Sequence, residues 1–411
     1  MIASSIFYNT KTEIFVAITV FLIYHIYTRL YPTRLAFYSE DLRKHDPLLI
    51  ETLKENNFEE TKEIGQNSDL LVSKPRNIRK EMKRDADSKI HDILRFKKII
   101  LSLSNERRVT KKYFIWDSME KKLGRDRAKL MMPETFNLKN PYEYKMLLEN
   151  INRENNPKFI LKSERDGPNG LYISNNDYSD LIRQLNNVNG YYNNIFSPAF
   201  KRKNNLDKNR YTVAQRIVEN PLTVNDRIFK MRVYVLIVKN MGKTYGYLFR
   251  NGHVFYAKEK WNPNNLNNYN SLASKEMMNH NRSQEQVELI YKNYPRTIQQ
   301  LKKWLIANDY EQIKLLDNIV EMSKVVCYIC HQNVGNLVAS VNNLSMDMFT
   351  LDVTIDENMK PWLLKMSRTK ELKNPTESET IMRKKCWKDA LRVSNLLRNI
   401  DGQNGFTLIW E

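Results

Sequence analysis

Only three cysteines occur in 411 residues. An odd number excludes a complete disulfide framework, and so few thiols fit a reducing compartment. No internal repeat is visible, which excludes a repeat architecture. A single basic block is missing too. The 66 Lys and Arg outnumber the 47 Asp and Glu, for a formal charge of +19. Yet the signs are interspersed, as in "RKEMKRDADSK" at 79–89, the pattern of solvated helix faces. The net excess still points to an acidic partner: nucleic acid, an anionic membrane surface or an acidic protein tail. Basic motifs interleaved with aromatics are also lacking, so charge-driven binding of nucleic acid or anionic lipid ranks last.

Long apolar runs are almost absent. The exception is "IFVAITVFLIYHIY", residues 14–27, extended by Leu30 and Tyr31. It lies at the short end of the roughly 17–25 residues that a membrane span needs. A cleaved signal peptide fits poorly, because Lys11 stands against Glu13 and no small-x-small site follows. Tyr24, Tyr27 and Tyr31 resemble an interfacial belt, and Arg29, Arg34, Arg43 and Lys44 crowd the C-terminal flank. The expectation is a single N-terminal anchor over residues 1–31, with the large domain cytosolic. The competing reading is a short hydrophobic helix packed on a soluble domain.

Residues 32–105 read as a polar, mostly helical N-terminal module. "DPLLIETLKENNF" (46–58) is amphipathic, and "KIHDILRFKKIILSL" (89–103) repeats an apolar face. A central unit is expected over 106–220 and a C-terminal unit over 221–411. Strands are predicted at 157–164, within 211–224 and at 228–240. The stretch 243–261 is predicted as a hairpin turning at Asn251-Gly252. A loop at 262–270 and a helix to about residue 338 follow. Another helix is expected at 381–398. The fold class is α+β, with a mostly antiparallel sheet flanked by helices. "CYICH" (327–331) matches a haem-attachment pattern but lies on an apolar helical face. Cys327 and Cys330 are therefore read as small buried core residues.

"MDMFTLDVTIDENMKPWLLKMSRTKEL" (346–372) predicts a hairpin. Phe349, Leu351, Val353 and Ile355 alternate with Thr350, Asp352, Thr354 and Asp356, the pattern of a half-buried strand. On the return strand Leu363, Lys365 and Ser367 are expected on one face, with Trp362, Leu364 and Met366 on the other. Asp352 then meets Lys365. Upstream, Lys162 precedes a loop carrying Gly167 and Gly170. A flexible ammonium beside backbone N–H groups is one way to hold phosphates.

In their order and spacing, "LMMPETFNL" (130–138), "FILKSERDGPNGLYI" (159–173), the strand with Gln215, "FKMRVYVLIV" (229–238), "YLFRNGHVFYAKEKW" (247–261) and the 349–372 hairpin resemble the tubulin-tyrosine ligase-like family. The resemblance runs from about residue 45 to about 400. It implies an ATP-grasp fold that uses magnesium and ATP to activate a carboxylate for coupling to an amino acid. It also implies a phosphate-binding Lys162 near Gly170, an adenine-side Gln215, a catalytic Arg232 and a metal-binding Asp352. Either Lys111 or Lys112 matches a further N-terminal lysine.

Four departures stand out. Lys365 and Ser367 occupy the positions of a Glu-x-Asn pair that ligates magnesium in the family. A Lys-Phe-Asp opening of the long strand reads Ile228-Phe229-Lys230, with Arg227 as a partial substitute. Phe255 replaces an arginine, and 271–274 departs from His-Leu-Thr-Asn. An ammonium cannot ligate a cation; two unit charges about 4 Å apart interact by roughly 4 kcal/mol at an effective dielectric of 20. The expectation is that an Asp352–Lys365 pair replaces the metal while Phe349, Leu351, Trp362 and Leu364 keep the framework. The plainer alternative is that Lys365 snorkels out of the sheet. The preferred reading is a membrane-anchored pseudoenzyme that binds an acidic partner such as tubulin tails, with ATP retained and magnesium disfavoured. The alternative is an active ATP-dependent amino-acid ligase.

Overall fold

The computed structural model describes residues 36–39, 47–61, 70–73, 99–102, 111–154, 158–163, 171–173, 211–240, 242–263, 292–311, 313–334, 344–369, 376–397 and 404–411, and the single positions 185, 271, 285 and 289. The chain opens with β1 (Ala36–Ser39), α1 (Pro47–Glu55), β2 (Glu59–Thr61), β3 (Leu70–Ser73) and β4 (Ile99–Ser102). Next come α2 (Phe114–Leu123), a helical turn at Arg125–Ala128, β5 (Thr135–Asn137), α3 (Pro141–Arg153), β6 (Phe159–Ser163), β7 (Leu171–Ile173) and β8 (Tyr211–Arg216). The last part holds β9 (Thr223–Val224), β10 (Arg227–Asn240), β11 (Lys243–Tyr256), α4 (Ile298–Ala307), α5 (Ile313–Val334), β12 (Leu344–Ile355), β13 (Pro361–Arg368), α6 (Glu377–Val393) and β14 (Phe406–Trp410).

The fold is α+β, as expected. A four-stranded sheet, ordered β5-β8-β6-β7, is antiparallel throughout. The larger sheet has ten strands and only part of it is antiparallel. Its β14-β11-β10-β12 run pairs antiparallel, whereas β12-β4-β3-β1-β2 pairs parallel. That parallel region corrects the mostly helical reading of residues 32–105. Helix α1 is present where the amphipathic pattern put it, but four short strands share the segment. "IILS" is a β-branched run in a parallel slot, so it reads as strand and not as the end of a helix. Residues 89–98 and the apolar stretch 14–27 lie outside the described residues. Among the described residues, no helix is long and apolar enough to cross a membrane.

β12 is a central strand. One edge pairs with β10, and the other pairs with β4 and β13. Both its faces are accordingly buried from Ser345 to Ile355, which corrects the half-buried reading. The outward positions are filled by polar groups with partners: Thr350 Oγ1 lies 3.1 Å from Ser367 Oγ, and Thr354 Oγ1 donates to the Phe229 carbonyl at 2.9 Å.

The β10–β11 hairpin turns at Asn240–Lys243, where Gly242 takes φ +79°. Asn251-Gly252 is no turn. It lies within β11, opposite a register shift between Val233 and Val235. Asn251 Oδ1 accepts from the Gln299 N–H, and a Cβ on Gly252 would collide with the Arg232 carbonyl oxygen. The pair therefore serves a bulge that lets two backbones close in.

β10 separates two cores. Phe229, Met231, Val233 and Val235 pack with α2, α4 and α5, including Cys327 and Cys330. Tyr234, Leu236 and Val238 pack with Leu49 and Leu53 of α1 and Trp387 of α6. The two thiols are buried, as read from the sequence, and burial pushes Cys327 up to about 12. A third core seats α3 on the four-stranded sheet.

Candidate functional site

Strand pairing builds one polar row across the large sheet. His253 of β11 lies opposite Arg232 of β10, Arg232 opposite Asp352 of β12, and Asp352 opposite Lys365 of β13. A bulge in β13 shapes the end of this row. Val353 pairs with Leu363 while Asp352 pairs with Lys365, so Leu364 is the extra residue. Leu363 and Met366 both enter the core, while Lys365 and Ser367 stay opposite Asp352 and Thr350. The strict two-residue alternation expected for this strand is thereby corrected.

Asp352 is 3% exposed. Its Oδ1 accepts from Arg232 Nε at 2.9 Å, and its Oδ2 accepts from Arg232 Nη2 at 3.2 Å and Lys230 Nζ at 3.3 Å. Burial works to raise its pKa, but Arg232 and Lys230 prevail and hold the carboxyl well below the usual carboxylate range. Two ion pairs of Asp352 thus run to β10, to Arg232 and Lys230, beside the Lys365 expected from the sequence, which lies opposite it in register. Lys365 is half-buried, and its charge acts on Asp352, Lys162 and Lys230 alike.

The four-stranded sheet brings Lys162 within electrostatic reach of Lys230, Asp352 and Lys365. Lys162 on β6 donates to Gln215 Oε1 on β8, and Gln215 Nε2 donates to Thr135 Oγ1 on β5 at 2.9 Å. Two residues singled out separately in the sequence are thus in direct contact. Lys112 Nζ donates to the Ser163 carbonyl at 2.6 Å, next to Lys162, whereas Lys111 Nζ lies over the Tyr113 ring. Burial, and then the charges of Lys112, Lys365 and Lys230, lower the Lys162 pKa to about 7. Gly167 and Gly170 lie outside the described residues.

The departures have structural explanations. Arg227 Nε donates to the Tyr294 hydroxyl at 3.0 Å, and Arg227 Nη1 donates to the Ala257 and Lys258 carbonyls, so it ties down the start of β10 and substitutes for nothing at the site. Phe255 carries Arg232 at 4.8 Å and Lys230 at 5.8 Å from its ring centroid. Ser271 is buried, and 272–274 lie outside the described residues.

Two site residues escaped the sequence reading. Lys230 was counted as a departure, although its i, i+2 spacing from Arg232 puts both on one strand face. His253 was concealed by the supposed turn at Asn251-Gly252. It is fully buried, 3.9 Å from Glu379, with no hydrogen-bond partner for either ring nitrogen. Burial, helped by Arg383 and Arg232, holds it neutral.

A magnesium ion takes near-octahedral oxygen ligands. Among the described residues this site offers one carboxylate, already bound by two cations, with Lys365 across from it and Ser367 opposite Thr350. Among the described residues, no group of three His, Cys, Asp or Glu side chains is placed to hold a metal. These donors do not fit that ion. They do fit phosphate oxygens.

The family model for the tubulin-tyrosine ligase family matches residues 93–401. Tubulin glycylase 3D of Tetrahymena thermophila is 26% identical over 186 residues, covering 44% of this chain and 17% of that protein. Tubulin polyglutamylase TTLL7 of Xenopus tropicalis is 21% identical over 203 residues, covering 46% and 22%. "Probable tubulin polyglutamylase TTLL9" of Bos taurus is 22% identical over 346 residues, covering 75% and 71%. The chain spans about a fifth of the length of the first two relatives.

Proposed function

Because the chain belongs to the tubulin-tyrosine ligase family, we propose that it is an ATP-dependent carboxylate–amine ligase of ATP-grasp architecture. Its proposed acceptor is an acidic protein segment, with tubulin tails as the first candidate. The observation that carries this reading is that Lys162, held by Gln215, feels the charge of Asp352, which is itself bound by Arg232. The relatives, named as a glycylase and polyglutamylases of tubulin, support the substrate class. When bound, ATP supplies a phosphoryl group that activates a carboxylate toward an amine. Lys162 and Lys112 would hold phosphate oxygens, Gln215 would aim Lys162, and Arg232, fixed by Asp352, would stabilise developing negative charge. The +19 balance suits an acidic acceptor.

The test is incubation of the full chain with tubulin, ATP and labelled glutamate, glycine or tyrosine, with magnesium and in chelator. The expected outcome is ATP-dependent covalent incorporation, reduced on the order of a hundredfold in Lys162→Met. A second reading, a ligase scaffold kept for binding, draws on Lys365 and Ser367 in place of metal ligands. It predicts binding of ATP and tubulin with no transfer under either condition. The apolar stretch 14–27 extends both readings to a membrane-attached protein. Extraction of cell membranes with alkaline carbonate tests that part: release into the supernatant would sink it.

A further inference from the structure

The site has an unusual charge balance. Among the described residues, Lys112, Lys162, Lys230, Arg232 and Lys365 gather with one carboxylate, Asp352. This is a formal excess of four positive charges when Lys162 is protonated. A free nucleoside triphosphate carries about four negative charges near neutral pH, against about two for its magnesium complex. The cluster therefore complements the metal-free ligand and repels part of what a metal brings. The arrangement is also fixed. Arg232 is clamped by both oxygens of Asp352, and Lys230 is held by the same carboxylate and by the Phe255 ring. Lys162 is aimed by Gln215 and Lys112 by the Ser163 carbonyl. Cations held by buried partners lose little freedom on meeting a polyanion.

We propose that this site binds a nucleoside triphosphate without a divalent cation, with Lys365 and Lys230 supplying the positive charge that a metal would otherwise bring. The inference rests on the ligase-family reading of the site as a nucleotide site. It goes beyond that reading by removing the metal requirement. The β13 bulge is what makes it workable, because it returns Lys365 to the face of Asp352 after Leu363 has been buried. Lys162, whose charge is disfavoured by burial and then by its cationic neighbours, would gain from a phosphate beside it.

The test is calorimetric titration of ATP into the full chain, once in excess EDTA and once in excess magnesium. Binding in EDTA at least as tight as in magnesium is expected, with magnesium weakening it severalfold or more. Binding that requires magnesium, or improves tenfold with it, overturns the inference and leaves the nucleotide site standing. No ATP binding in either condition, by protein with an intact folded spectrum, overturns the nucleotide reading itself. In Lys365→Glu with Ser367→Asn the preference should invert, with binding in EDTA lost by tenfold or more. Should that double variant fail to fold, Lys365→Gln is the fallback, and unchanged EDTA binding there also overturns the proposal. Inorganic tripolyphosphate should bind at least tenfold more weakly than ATP; equal binding overturns the nucleoside part.

Discussion

Lys162 titrates where it matters for a ligand. Burial and neighbouring cations place its pKa at about 7, against an ordinary 10.5. A bound phosphate would raise that value, so binding above neutrality should take up about one proton, and affinity should fall up to tenfold per pH unit above pH 7. Calorimetry in buffers of different ionisation enthalpy measures the uptake directly. In the unliganded protein the depressed pKa has the opposite sign from a stabilising pair. The unfolded chain holds the proton longer, so this residue's share of stability rises as pH climbs from about 7 toward 10.5. Asp352 shares that sign but marks a stabilising ion pair in a lower window. Its folded pKa is depressed, so its contribution is complete above the unfolded carboxylate range and is lost as pH falls below about 4. Asp352→Ala would leave Arg232 and Lys230 buried without their anion and should cost about 3–5 kcal/mol in denaturant unfolding.

Among the elements, the central strands were legible and their irregularities were not. β10 and β12 announce themselves by their content of Val, Ile and Leu, and the pairing from Ile355 with Pro361 to Val353 with Leu363 follows from the hairpin alone. The β13 bulge does not, because nothing local in "PWLLKMSR" says which residue is extra. Only the burial of both Leu363 and Met366 decides it. Asn251-Gly252 misled for a related reason. The dipeptide suits a two-residue turn, yet its neighbour across the sheet is the Arg232 carbonyl, a contact of distant origin. Gly252→Ala should therefore destabilise by about 1–3 kcal/mol or more, through steric contact with that carbonyl, since no left-handed backbone is involved. A thermal melt tests this, and a variant as stable as the parent would remove the argument for close approach. The parallel strands near the N-terminus were illegible because each is only three or four residues long.

For the molecule as a whole, charge and burial pull in different directions. The +19 excess belongs to the whole chain, while five of its cations, Lys112, Lys162, Lys230, Arg232 and Lys365, are half-buried at one site. Binding to a polyglutamate peptide should weaken on the order of tenfold between about 50 and 200 mM salt, because exposed charges are screened. ATP binding should change less, since its cationic partners are shielded from solvent. Fluorescence anisotropy with both ligands over one salt series separates the two; equal slopes would argue against a buried nucleotide site.

The three free cysteines fall in two separate places within this design. Cys327 and Cys330 sit in the core under one face of β10, and Cys386 sits in the core under the other. None requires engineering to serve as a chemical clock. A pulse of thiol-reactive label should leave the native chain unmodified, and the order in which the sites react during unfolding would reveal whether the two sides of the central sheet come apart together or in sequence.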